Sequence, residues 1–162
     1  MATIPTNPST TAEPWNQDAA DYRADRLDAP VPTRTRLGTE TILIADDDND
    51  VRQALTRALR RYGFRVLEAS TGADAVRLAV SEQGPIDLVL ADVVMPSMTT
   101  DDLQVQLAKA RPKAVVAFMS GYIRDESVRS SVLHGPVPFL PKPFTIVDLV
   151  RSIRTLLDER RN

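Results

Sequence analysis

The sequence predicts an α/β protein: a doubly wound, three-layer sandwich in which helices cover both faces of a five-stranded parallel sheet. Short apolar runs alternate with amphipathic helical patterns from residue 41 onward, which is typical of consecutive βαβ units. Residues 86–91 are almost continuously apolar, as expected for a strand that is buried on both faces. Turn signals, Gly84-Pro85 and Met95-Pro96, bound this run.

Five segments have the length and composition of strands. They are residues 41–45, 64–68, 86–91, 114–119 and 137–140. Each of the first four is followed by a segment with helical periodicity, and a fifth helical segment closes the chain. The order therefore predicts five βα units with right-handed crossovers.

The first helix is predicted to be capped by Asn49 or Asp50 and to end at Gly63. Its apolar residues recur three and four apart, which is the spacing of a buried face. These are Val51, Ala54, Leu55, Ala58 and Leu59. Its arginines are predicted to lie on the solvated side: Arg52, Arg57, Arg60 and Arg61.

The other helices are predicted from similar signals. The second runs from Gly72 to near Gly84, and the third covers residues 101–110 before Pro112. The fourth covers residues 125–134 and is rich in polar residues, which predicts weak packing. The last is capped by Thr145.

Residues 1–38 are predicted to form an N-terminal arm, extended or partly helical, and residues 39–162 the folded domain. The arm contains several prolines, which prevent long regular elements. A short helix over residues 15–27 would present Trp15, the one tryptophan of the chain. Two interpretations stay open: an unstructured tail, or an arm that docks on the domain or on a second copy.

Composition excludes several classes of function. The net charge of −2 argues against non-specific nucleic-acid binding, which needs a basic surface. The chain has no cysteine and a single histidine, His134, so thiolate and multi-histidine metal sites are excluded. The N-terminus lacks a signal-peptide pattern, and no apolar run reaches the length of a membrane span. We therefore expect a cytoplasmic protein without nucleic-acid or membrane partners.

Polar residues follow the predicted strands at the point where each strand ends. Asp46, Asp47 and Asp48 follow the first strand, Asp92 the third, Ser120 ends the fourth, and Lys142 follows the fifth. These ends lie at one edge of a parallel sheet, where α/β proteins bind ligands. Clustered carboxylates repel one another unless a hard cation such as Mg²⁺ joins them. A lysine and a hydroxyl would complete a pocket for a phosphoryl group.

Four motifs carry a resemblance to a known family. They are residues 42–48 (ILIADDD), 92–96 (DVVMP), 119–122 (MSGY) and 139–144 (FLPKPF). In this order and spacing they resemble the receiver domain of two-component response regulators, from about Glu40 to Asp158. The version at residues 118–122 (FMSGY) looks most like receivers that belong to, or work with, hybrid sensor kinases. The resemblance implies a flavodoxin-like (βα)₅ fold.

The resemblance also implies roles at the site. Asp92 would be the phosphoacceptor and take its phosphoryl group from a kinase phosphohistidine. Asp47 would bind Mg²⁺ directly and Asp46 through water, with Asp92 and the main-chain carbonyl of Val94 as further ligands. Ser120 and Lys142 would bind the phosphoryl oxygens, and a cis peptide is implied before Pro143. Asp48 is expected to be a loop or capping residue.

Further residues are expected to control the switch and access to the site. Phe139 corresponds to the aromatic residue that swings inward in this family. Val94 and Tyr122 would flank the path of attacking water, and an apolar Val94 predicts slow self-dephosphorylation. Gly121 would leave room for the kinase histidine. Thr100 stands where the family usually has glycine, which predicts a reshaped loop before the third helix.

The function expected from the resemblance is that of a stand-alone response regulator. A sensor histidine kinase would phosphorylate it, with output by protein contacts or by relay to a histidine phosphotransfer protein. Its chemistry would be limited to its own phosphotransfer, without a DNA-binding output domain, and a homodimer is favoured. A haloacid-dehalogenase phosphatase would need a second acid two residues after Asp92, where Val94 stands. A dinucleotide-binding domain would need a glycine-rich turn after the first strand. A receiver-shaped scaffold that works without phosphorylation stays open.

Overall fold

A computed structural model describes residues 38–121 and 137–161, and in these ranges five parallel strands form one sheet. The strands are β1 (Thr41–Ala45), β2 (Arg65–Ala69), β3 (Leu88–Asp92), β4 (Val115–Ser120) and β5 (Phe139–Pro141). The helices of the same ranges are α1 (Asn49–Arg61), α2 (Gly72–Ser81), α3 (Thr100–Ala110) and α4 (Ile146–Glu159). The sheet order is β2-β1-β3-β4-β5. This is the doubly wound, flavodoxin-like arrangement predicted from the sequence, and the fold class is confirmed.

The five predicted strands are all present, and the bounds of four of them are shifted. β1 agrees with the prediction at both ends, whereas β3 begins two residues later than predicted and includes Asp92. The predicted N-terminal arm (residues 1–38) falls outside the described residues except for Gly38. The helix predicted for residues 125–134 lies entirely outside them.

Of the helices in the described ranges, two pack on each face of the sheet. Alternate strand residues point to opposite faces, so neighbours in β1 enter different cores. Ile42 and Ile44 pack with α1 and α4, and Leu43 and Ala45 pack with α2 and α3. Burial on both faces explains why β1 and β3 are apolar without alternation.

Helix α1 buries its predicted apolar face, but two predictions about it were wrong. The helix is capped by Asp48, whose carboxylate accepts hydrogen bonds from the amides of Asp50 and Val51 at 2.9 and 3.1 Å. Arg52 does not face solvent, because its side chain folds back toward the start of the helix and keeps only 12% exposure. The other three arginines are exposed as predicted.

The edge of the sheet where the strands begin, the amino edge, is tied to the end of α4. Glu40 accepts hydrogen bonds from Arg154 and Arg161, both at 3.0 Å. Arg160 donates to the carbonyl and the carboxylate of Asp87, at 3.0 and 3.2 Å. These contacts join the last helix to the starts of β1 and β3.

Gly38 brings the chain into the domain at the same edge. Its amide donates to the carbonyl of Tyr62 at 2.7 Å, and the buried ring of Phe64 lies beside it. A Cβ at Gly38 would overlap that ring, so only glycine fits there. None of the helices in the described ranges is long and apolar enough to cross a membrane.

Candidate functional site

The predicted site residues come together at the opposite edge of the sheet, the carboxyl edge. Asp92 is the last residue of β3 and Ser120 the last of β4, while Asp46 and Lys142 directly follow β1 and β5. The parallel register pairs Ala45 with Ala91, which brings Asp46 beside Asp92. The sheet thus assembles the site from segments that are distant in sequence.

Lys142 joins the two aspartates. Its Nζ lies 2.7 Å from Oδ2 of Asp92 and 3.1 Å from Oδ2 of Asp46. Asp46 retains only 1% exposure, Asp92 14% and Lys142 16%, so water screens these contacts weakly. The Lys142 amide also donates to the carbonyl of Ser120 at 2.7 Å, and the peptide before Pro143 is cis, as implied.

Burial and charge act against each other at these groups. Burial raises the pKa of the Asp46 carboxyl, and the Lys142 ammonium offsets only part of that effect. Burial alone would lower the pKa of Lys142, but its hydrogen bond to Asp92 and both carboxylate charges raise it above its ordinary value. The lysine therefore stays cationic at neutral pH, and two carboxylates share its single positive charge.

The oxygen-only donors at this edge suit a hard divalent cation such as Mg²⁺. Asp47 is exposed beside the buried Asp46, whose Oδ1 accepts from the Asp48 amide at 2.9 Å. Within the described ranges no three Asp, Glu, His or Cys side chains form a group ready to hold a metal ion. Two of the candidate carboxylates, Asp46 and Asp92, are instead paired with the ammonium group of Lys142. Their oxygen atoms are nevertheless ligands of the kind that Mg²⁺ prefers.

The loop after β3 carries Val94 to the surface. Its side chain is 65% exposed, and its amide donates to Oδ1 of Asp92 at 2.7 Å. Thr100 is the first residue of α3 and has no positive φ, while the left-handed residue of this loop is Ser97, with φ 71°. Thr99 caps α3, and Thr100 is accommodated as an ordinary helical residue.

The remaining predicted residues take positions around this centre. Ser120 is buried, and Phe139 is half-buried against the core that contains α2 and α3. Gly121 is exposed, and a Cβ there would lie 3.9 Å from Cβ of Lys142, an ordinary contact. Tyr122 lies outside the described residues.

Sequence reasoning missed Arg52. Its Nη1 donates to the main-chain carbonyl of Asp46 at 2.7 Å. Its position six residues after Asp46, at the start of α1, was the available signal, but the helical pattern alone assigned it to solvent.

Comparison with known proteins agrees with this geometry. A model of the response regulator receiver domain matches residues 42–154. The response regulator receiver protein CpdR of Brucella abortus is 34% identical over 116 residues, which cover 72% of this chain and 95% of CpdR. The sensor kinase CckA of the same organism is 34% identical over 148 residues, 86% of this chain.

Solved structures give the same result. The receiver domain of the hybrid histidine kinase CckA superposes with a TM-score of 0.61 at 33% identity, covering 72% of this chain and 98% of that domain. A CheY-like receiver domain protein of Methanospirillum hungatei has a TM-score of 0.66 at 28% identity, covering 75% of this chain and 96% of that one. The sequence match to the sensor kinase CckA of Brucella abortus, given above, covers only 15% of the length of that kinase.

Proposed function

The chain belongs to the response regulator receiver domain family, and from this premise we propose that Asp92 accepts a phosphoryl group from a sensor histidine kinase. The single observation that carries the proposal is the contact of Lys142 with Asp92 and Asp46 at the carboxyl edge of the sheet. This contact gives a nucleophilic carboxylate, a fixed cation and a second acid within one small, partly buried site.

The transfer is a displacement at phosphorus. A carboxylate oxygen of Asp92 attacks the phosphorus of a phosphohistidine, a P–O bond forms and the P–N bond breaks. The imidazole leaves with the bonding electron pair and takes up a proton. Lys142, already bonded to Asp92, then pairs with the phosphoryl oxygens and stabilises their negative charge.

Mg²⁺ would be held by Asp47, by Asp46 through water, by Asp92 and by the carbonyl of Val94. When bound, it neutralises the carboxylates and the incoming phosphoryl oxygens. The Asp46 carboxylate accepts a hydrogen bond from the Asp48 amide. This bond holds the Asp46 carboxylate at the start of the loop that carries Asp47.

Phosphorylation is proposed to act as a switch through Ser120 and Phe139. The Ser120 hydroxyl bonds a phosphoryl oxygen, and Phe139 then turns toward the space behind it. Support comes from their placement: the two residues are in adjacent paired strands, β4 and β5, and Ser120 pairs with Pro141, the residue before Lys142. Gly121 leaves access for the donor histidine, as does the exposed position of this turn.

The partners proposed are a sensor histidine kinase and, for relay, a histidine phosphotransfer protein. The relatives support this, since one is a sensor kinase and another a receiver protein matched over 95% of its length. The match to nearly the whole length of a receiver protein supports output by protein contact. We also propose that the protein is cytoplasmic and forms a homodimer. Light scattering of the purified protein tests the dimer directly.

The phosphoacceptor proposal is tested by intact-protein mass spectrometry after incubation with acetyl phosphate and Mg²⁺. We expect the mass to rise by one phosphoryl group, and the gain to vanish in Asp92→Asn and in the presence of chelator. Asp101→Asn is the matched control, because it makes the same chemical change at an exposed acid in the first turn of α3.

An adduct that persists in Asp92→Asn would move the phosphoacceptor to another residue. No adduct in the wild-type protein, with this donor or with a histidine kinase, would favour the scaffold interpretation.

A further inference from the structure

We propose that Arg52 is a positioning residue for Mg²⁺ binding, which it controls through the acidic turn (residues 46–48). This inference rests on the proposed function, because it concerns the metal ligands of that same site. Arg52 does not itself contact the reacting carboxylate: its direct contact is with the main chain of Asp46.

Three contacts hold the Arg52 guanidinium. It donates to the Asp46 carbonyl at 2.7 Å and to Oδ1 of Asn49 at 2.9 Å. It also lies 3.9 Å from the Glu68 carboxylate on β2. With 12% exposure, this side chain is fixed between α1 and the sheet, unlike the exposed Arg57 of the same helix.

The contact with the Asp46 carbonyl fixes the peptide group that leads into Asp47. The Asp46 amide is held as well, since it donates to the carbonyl of Ala69 at 3.2 Å. The Asp46 carboxylate accepts from Lys142 and from the Asp48 amide. Asp47 itself is exposed, so the direction of its side chain is set by the main chain on either side. Arg52 holds one of those two sides.

The positive charge of Arg52 and its hydrogen bond to the acidic turn are expected to have opposite effects on Mg²⁺ affinity. A guanidinium close to the acidic turn repels Mg²⁺, so removing the charge alone would strengthen metal binding. Loss of a group that orients metal ligands weakens binding instead, typically by tenfold or more. The direction of the change therefore separates the two effects.

The experiment measures the Mg²⁺ dissociation constant by isothermal titration calorimetry for the wild type, Arg52→Met, Arg52→Lys and Arg57→Met. We expect Arg52→Met to raise the constant about tenfold. Arg52→Lys keeps the charge but donates from a single ammonium, so we expect an intermediate rise. Arg57→Met removes an equal charge from an exposed position of α1 and should leave the constant unchanged.

A second readout separates positioning from general stability. The free energy of unfolding in chelator reports the structural contribution of Arg52. The Mg²⁺ constant of the folded protein reports the orientation of the ligands. In acetyl phosphate assays, Arg52→Met should need more Mg²⁺ to reach half-maximal phosphorylation yet reach the wild-type level when Mg²⁺ saturates.

An unchanged or lower dissociation constant in Arg52→Met would overturn the inference. If Arg52→Met does not fold, Arg52→Lys decides: a raised constant supports positioning, and a wild-type constant overturns it. A wild type that binds no Mg²⁺ in the same titration would instead remove the metal-dependent function itself.

Discussion

Asp46 is a residue whose placement works against the stability of the fold. It is the most buried carboxylate of the site, with 1% exposure, and it shares the one ammonium of Lys142 with Asp92. Because burial raises the pKa of Asp46, its ionised form is less favourable in the folded protein than in the unfolded chain. A buried carboxylate whose ionisation is unfavourable is expected where a cation is to be bound.

Asp46→Asn should therefore stabilise the protein in chelator, by about 1 kcal/mol at pH 7. The folded-state pKa of Asp46 lies above its ordinary value of 3.8. Wild-type stability is therefore highest below that value, and part of it is lost as the pH rises through the folded-state pKa. The advantage of Asn should accordingly be present at neutral pH and disappear below pH 3.8.

Urea denaturation of wild type and variant across this pH range measures the effect. Asp47→Asn is the control, since the same change at an exposed neighbour should alter stability much less. A variant no more stable than wild type at pH 7 would contradict the prediction.

At the residue scale, Val94 is expected to flank the path of the water that attacks the phosphoryl group. Its exposed side chain has no polar atom to orient that water, so we expect slow self-dephosphorylation. Val94→Asn should shorten the half-life of the phosphorylated protein by about tenfold, because an amide can hydrogen-bond the water. The decay of the phosphorylated mass after removal of donor measures this half-life.

Val105→Asn serves as the control, since Val105 is also exposed, at 52%, but belongs to α3. Equal half-lives in the wild type and Val94→Asn would show that side-chain polarity at this position does not limit hydrolysis.

At the scale of elements, Glu40 is one of two acidic residues that attach α4 to the amino edge, together with Asp87. Burial alone would raise the pKa of Glu40, but hydrogen bonds from main-chain amides and from Arg154 lower it below its ordinary value of 4.5. The guanidinium of Arg154 also lies over the ring of Phe64, 4.5 Å from its centroid. Helix and strand are thus joined by one buried carboxylate.

Glu40→Gln should lower the free energy of unfolding by about 1–3 kcal/mol at pH 7, because the glutamine side chain cannot satisfy two cationic donors. The wild-type contribution is present above the ordinary pKa of 4.5 and is lost as the pH falls through the lower folded-state value. The difference between the variants should therefore shrink in acid.

Denaturant unfolding at pH 7 and in acid tests this dependence. Glu159→Gln, at an exposed position of the same helix, should change little. A Glu40→Gln variant of wild-type stability at pH 7 would mean that the contact contributes nothing to docking.

The elements also show what sequence reasoning can reach. Apolar runs and their end residues placed Asp92, Ser120 and Lys142 correctly, because parallel strands that end at one edge leave few alternatives. Local patterns failed where a long side chain turns back, as Arg52 does toward Asp46.

Contacts between distant segments were also beyond local patterns. Glu40 and Arg154 are 114 positions apart, and neither residue type nor spacing marks them as a pair. Asp48, expected to be a loop or capping residue, does cap α1, whereas the helical pattern assigned the cap to Asn49 or Asp50, because three consecutive acids and an asparagine all suit that position.

At the scale of the whole molecule, the sheet separates two kinds of interaction between its two edges. The carboxyl edge gathers Asp46, Asp92 and Lys142 at the strand ends and directly after them. The amino edge holds Glu40, Asp87 and the end of α4 in a network of ion pairs. When the charge at the carboxyl edge changes, the ion pairs of the amino edge therefore still hold α4 to the sheet.

The entry of the chain at Gly38 and the end of α4 both lie at the amino edge. A fluorescent protein or an affinity tag fused beyond Arg161 would thus be carried behind the domain, away from Asp92. A sensor chip that captures the protein through such a tag would present the carboxyl edge to a partner in solution. For the same reason, a receiver that is fused to another domain at its amino edge keeps its carboxyl edge accessible.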